Sequence, residues 1–105
     1  MAIEKVTAQN FEETVNGFSG LTVVDFFATW CGPCKMLSPI LEDAASRHTD
    51  VRFCKVDIDE EMALATKYQI MSVPTLLFIR NGEVVKKSIG LISPEDLDDF
   101  IAASR

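Results

Sequence analysis

Apolar residues fall along the chain in two alternating rhythms. Residues 23–28 are apolar except for Asp25, which reads as a buried strand. Leu37, Ile40, Leu41, Ala44 and Ala45 then recur at the i, i+3, i+4, i+7, i+8 spacing of a helical face, so the spacing predicts a helix over about 33–48. Pro39 falls inside it, where a missing N–H and a crowded ring predict a kink. Residues 3–6 read as a short alternating strand at a sheet edge. Asn10 is expected to cap a helix with Glu13 at its third position, Phe11, Val15 and Phe18 inward, and Gly17 and Gly20 at its end.

Residues 51–58 give a third strand, with Lys55 and Asp57 embedded, and a helix is expected over about 59–68. A loop over 70–75 leads into a strand over 76–80. Asn81-Gly82, between that strand and Glu83-Val84-Val85, is a hairpin signal. Ser93-Pro94 opens a last helix, proline at its first position, with Leu97, Phe100 and Ile101 facing inward. The order is βαβαβαββα. Strands alternating with helices favour parallel pairing through right-handed crossovers, and the hairpin adds an antiparallel edge. The expected architecture is α/β: a mixed five-stranded sheet with helices on both faces, formed by residues 1–105 as one domain.

Composition narrows the function. The 105 residues are 48% apolar and 25% charged, enough for one core without disulfide staples. A net charge of −6 argues against a nucleic-acid partner, because phosphate binding needs a basic surface. The first residues lack a basic flank followed by a long apolar stretch, and no segment approaches the length of a membrane span. The expected location is the cytoplasm, where a CxxC means redox chemistry or metal.

That CxxC is Cys31-Gly32-Pro33-Cys34, at the point where the 23–28 strand hands over to the helix. A helix start presents unpaired N–H groups and the positive end of the macrodipole, so a thiolate at Cys31 is favoured over the thiol. Three residues along a helix, Cβ atoms stand roughly 5–6 Å apart. A modest adjustment permits a bond between the two sulfurs, since bridged Cα atoms lie about 4.4–6.8 Å apart. Closing so short a ring stabilises the fold by only about 2 kcal/mol on the chain-entropy formula. Such a pair is better suited to reversible exchange than to stapling. Asp25 is costly to bury ionised, so its pKa is expected to rise.

Trp30-Cys31-Gly32-Pro33-Cys34-Lys35 after a strand containing an aspartate, Val73-Pro74-Thr75 some forty residues on, then Asn81-Gly82 and Gly90: this set resembles the thioredoxin family over essentially the whole chain. The resemblance implies a general protein-disulfide reductase. Cys31 would be the exposed attacking thiol and Cys34 the buried resolving one. Asp25 would lie behind Cys34 and help move its proton, with Lys55 near it. Pro74 would be cis, and Trp30, Gly32, Pro33, Val73, Pro74, Gly90 and Leu91 would line the surface where substrate docks. The partners implied are disulfide-containing proteins and a thioredoxin reductase as electron donor, with the chain a monomer. No cofactor is implied, because the Cys31–Cys34 disulfide itself carries the two electrons.

The pattern departs from the family's commonest form in places. Phe27 stands where many members have a second tryptophan, and Gln69-Ile70-Met71-Ser72 replaces a stretch often richer in glycine and basic residues. Cys54 reads as a small buried hydrophobe, and His48 as a partner for a helix C-terminus. Three alternatives remain to be weighed. An oxidase or isomerase usually carries a histidine between its cysteines, and Gly32-Pro33 does not. A zinc module wants four ligands, for which only Cys54 and His48 remain, without the spacing of a second pair. A non-catalytic regulatory subunit would not need an intact Cys-Gly-Pro-Cys, which favours catalysis but excludes no second role.

Overall fold

The structure, a computed structural model, describes residues 3–105. Strands β1 (Ile3–Lys5), β2 (Leu21–Phe27), β3 (Arg52–Asp57), β4 (Thr75–Arg80) and β5 (Glu83–Ile89) form one sheet in the order β1-β3-β2-β4-β5. β1 and β2 each pair parallel with β3, while β4 runs antiparallel to both β2 and β5. The strand that ends at the CxxC is therefore the middle of the sheet. Helices α1 (Gly32–Arg47), α2 (Met62–Lys67) and α3 (Pro94–Ser104), with a five-residue π-helical segment, Glu12–Asn16, complete the chain.

Period-two alternation sorts the sheet into two faces. Leu21 and Val23 of β2, Phe53 of β3, and Leu76 and Phe78 of β4 pack under Leu37, Leu41, Ala44 and Ala45 of α1 and Leu97 and Ile101 of α3. Val24, Phe26, Cys54, Val56, Leu77 and Ile79 point the other way, against Phe11, Val15 and Leu64. Asp25 and Lys55 share the alternation of Val23 and Phe53. The parallel register sets them side by side on the α1 face. This placement positions the site.

Local chemistry explains the element ends, and corrects three expectations. Asn10 does not cap the first helical segment. Its Oδ1 reaches back to accept from the Thr7 N–H at 2.8 Å, and the segment closes through an i→i+5 bond from Gly17 N–H to the Glu12 carbonyl at 2.8 Å. Thr7 opens the turn, with Asn10 at its third position, as in one half of a capping box. The third helix is shorter than expected, starting at Met62, because Asp57 Oδ1 accepts from the Asp59 and Glu60 N–H groups and holds residues 57–60 in a turn. Strand β5 is longer than expected, with Val85 left over between the pairs Phe78–Lys86 and Ile79–Val84. This is a bulge on an edge strand.

Other readings hold. Asn81 and Gly82 both have positive φ (54° and 78°), the backbone that a two-residue hairpin needs. Ser93 accepts from Asp96 N–H at 3.1 Å, with Pro94 at the first helical position. Helix α1 continues past Pro39 to Arg47, as the apolar spacing predicts. His48, at its end, meets Asp98 of α3, Nε2 to Oδ1 at 2.9 Å. Among the described residues no helix is long and apolar enough to cross a membrane.

Candidate active site

Cys31 is the N-cap of α1 and Pro33 lies within its first turn. Its Sγ accepts from the Cys34 backbone N–H at 3.1 Å, one of the donors that a helix start leaves unpaired. The two cysteines are joined as a disulfide, with Cα atoms 5.3 Å apart. The hydrogen bond and the macrodipole both favour negative charge on Cys31. Cys34, already inside the helix, is the donor of that bond and not its recipient.

One expectation of the resemblance fails. Cys31 was to be exposed and Cys34 buried, yet Cys31 is 4% exposed and Cys34 5%. Linked, the two sulfurs pack with Ala28 into a small apolar cluster flanked by Phe27, Ile58 and Val73. What separates the cysteines is their neighbours. Cys31 stands between the exposed Trp30 and Gly32, and its Sγ lies 3.8 Å from the Val73 carbonyl oxygen. Cys34 lines a cleft of about 500 Å³ that Cys31 does not reach.

That cleft is walled by Asp25, Phe27, Ala28, Thr29, Cys34, Lys35, Ser38 and Lys55. Asp25 is 6% exposed, and its Oδ1 is buried with no hydrogen-bond partner among the described residues. Burial raises its pKa and the charge of Lys55 lowers it; burial wins, and the carboxyl is pushed up to about 7. A carboxyl poised there takes or gives a proton at neutral pH.

At the rim, the Val73–Pro74 peptide is cis, and the Pro74 carbonyl accepts from the Gly90 N–H at 2.8 Å. Gly90 has φ +91°, a backbone that only glycine adopts without strain. Trp30, Gly32, Pro33 and Leu91 are exposed, Val73 and Gly90 half-buried and Pro74 buried. The structure thus gathers Trp30 to Cys34 and Val73-Pro74 around the disulfide, and Asp25 and Lys55 behind Cys34.

Sequence reasoning missed four residues here. Asp59 Oδ2 accepts from Trp30 Nε1 at 2.9 Å, anchoring an indole that is otherwise 69% exposed; nothing in the sequence links positions 29 residues apart. Thr29, Lys35 and Ser38 line the cleft. Ser38 was within reach, because it follows Cys34 at i+4 on the same helical face. Cys54 lies on the opposite face of the sheet, where burial first and Glu4 second push its thiol up to about 11. It is the small buried hydrophobe expected. Among the described residues no three His, Cys, Asp or Glu groups stand close enough to hold a metal ion.

Two sulfurs joined at a helix start, one of them facing a backbone N–H and the other lining a cleft with a titratable acid, make a pair able to trade a disulfide with another molecule. The protein is a thiol–disulfide oxidoreductase. A sequence model of the family described as Thioredoxin matches residues 2–103. Thioredoxins of Staphylococcus saprophyticus and Staphylococcus haemolyticus are each 44% identical to the chain over 102 residues, which cover 96% of either sequence. A thioredoxin of Staphylococcus aureus is similar to the same extent. The chain belongs to the thioredoxin family.

Proposed function

We propose that residues 1–105 work as one thioredoxin domain that reduces disulfides in other proteins. In the reduced form the Cys31 thiolate attacks one sulfur of a target disulfide, and the other target sulfur leaves with the electron pair. Cys34 gives up its proton and attacks the Cys31 sulfur of the mixed disulfide. The target sulfur bonded to Cys31 leaves with the electron pair, and the Cys31–Cys34 bond closes. Two electrons have passed to the target. The observation that carries this reading is the Cys34 N–H aimed at Cys31 Sγ from 3.1 Å at a helix start, which supports Cys31 as the attacker and Cys34 as the resolver.

Asp25 is proposed as the group that accepts the Cys34 proton, with Lys55 holding its pKa from rising further. Trp30, Gly32, Pro33, Val73, Pro74, Gly90 and Leu91 are proposed as the docking surface, where an extended target segment meets the backbone beside Val73. Gly32-Pro33 supports reduction over oxidation or isomerisation: no cationic side chain stands between the cysteines to stabilise the reduced form and make the couple more oxidising. The couple needs no prosthetic group. A thioredoxin reductase is the proposed electron donor, the cytoplasm the proposed location and a monomer the proposed state.

Insulin reduction driven by dithiothreitol tests the reading. Wild type accelerates it, Cys31→Ser is inert, and Cys34→Ser accumulates a covalent adduct with its target through Cys31. Adducts formed through Cys34 would reverse the roles. An oxidised couple that persists in a cytosol-like glutathione buffer would defeat the reductase reading.

A further inference from the structure

A second cleft, of about 660 Å³, opens between the end of α2 and strand β5. Ala65, Ile70 and Met71 give it aliphatic walls and Thr66 and Gln69 a polar edge; among the described residues that line it, Lys87 alone is charged. The register sets Lys87 opposite Leu77, on the sheet face of Val24 and Phe26, while Lys86 points the other way with its ammonium 4.3 Å from the centre of the Phe100 ring. Lys87 is exposed and makes no salt bridge among the described residues. Both walls lead to the proposed docking surface. Met71 stands two residues before Val73, and β5 runs on from Lys87 through Ile89 to Gly90, whose N–H bonds the Pro74 carbonyl at 2.8 Å. Met71 and Ile89, both exposed, carry apolar surface from there toward the cleft.

We propose that this cleft is a subsite for an acidic side chain of the target, placed two or three residues from the attacked cysteine. The inference rests on the disulfide-reductase reading and gives it a substrate preference. An extended segment advances about 3.3 Å per residue, so a target that passes Val73 reaches Met71 within two or three residues. The target carboxylate pairs with Lys87, and the methylenes that carry it lie along Ile70 and Met71. Net charge makes the sign of this preference decisive. A chain of −6 repels acidic targets as a whole, so a gain from acid at one position needs a local cation.

The test uses short peptides joined as symmetric disulfide dimers, with glutamate, glutamine or lysine at the second or third residue before or after the cysteine. Excess reduced protein is mixed with each, and the rate of disulfide loss is divided by the rate with dithiothreitol to remove the peptides' own differences in reactivity. Wild type should favour glutamate over lysine by about threefold on one flank of the cysteine, the size of an exposed ion pair. Lys87→Glu should turn this into a similar preference for lysine, a swing of roughly tenfold. Lys86→Glu makes the same change of net charge from the opposite face, and should swing the ratio by no more than about twofold. A wild type that shows no preference or favours lysine overturns the subsite. So do equal swings from the two variants, or a preference equal on both flanks. The glutamine peptides keep the underlying reading apart. A protein that reduces them but gives a contrary ratio loses only the subsite, whereas one that reduces no peptide loses the proposed function.

Discussion

At the scale of single residues, the chemistry turns on an acid held out of water. Asp25 ionises near 3.8 in the unfolded chain and near 7 in the folded one. Between those values the unfolded chain has released a proton that the native state still holds, so native stability falls as pH rises through that window, and the penalty is complete above it. At 1.36 kcal/mol per pH unit of displacement, the penalty is up to about 4 kcal/mol. Asp25→Ala should therefore be more stable than wild type by urea unfolding at pH 8, by up to that amount, and no more stable at pH 3.5. The same change should slow insulin reduction by roughly 10²-fold, as expected for a positioned acid–base group. A variant that is no more stable at pH 8 and exchanges normally would remove Asp25 from the account. Asp25 was legible because a carboxylate in an apolar strand is an anomaly on its face. The near-equal burial of Cys31 and Cys34 was not, because it depends on Val73 and Ile58 arriving from distant parts of the chain.

At the scale of elements, short-range rules were readable where one residue type does one job. Ser93-Pro94 and Asn81-Gly82 are such cases, and both formed as expected. The start of α2 was not readable, because Asp57 takes up the Asp59 and Glu60 N–H groups that a longer helix would have used. The other end of α2 carries a local conflict. Gln69 has φ +55°, and Ile70 N–H closes back on the Ala65 carbonyl at 2.8 Å, a C-terminal turn that favours glycine. Gln69→Gly should stabilise the protein by about 0.5–1 kcal/mol in urea unfolding, since the relief of left-handed strain exceeds the added freedom of the unfolded glycine. Ser93→Ala should cost about 1 kcal/mol by removing the cap of α3. A destabilised Gln69→Gly variant would mean that the glutamine side chain makes a contact worth more than the strain.

At the scale of the whole molecule, the fold brings one end of a central strand, one helix start and one loop to the same place. Strand order was only partly legible: alternation of strands and helices pointed to parallel pairing and the hairpin to an antiparallel edge, but no local pattern places β3 between β1 and β2. The core lies in those layers, and the disulfide adds little to it. A ring of four residues is worth about 2 kcal/mol on chain entropy, so oxidised and reduced forms should differ by about that in urea unfolding, and a much larger gap would mark a structural staple. The central claim is that backbone amides at the start of α1 make Cys31, and not Cys34, the reactive sulfur. The most direct measurement is the rate of iodoacetamide alkylation of the reduced protein at neutral pH, with the site of each label read by peptide mass. The account predicts that Cys31 is labelled first and faster than an ordinary thiol, with Cys34 following slowly; first labelling at Cys34, or equal rates at the two cysteines, would contradict it.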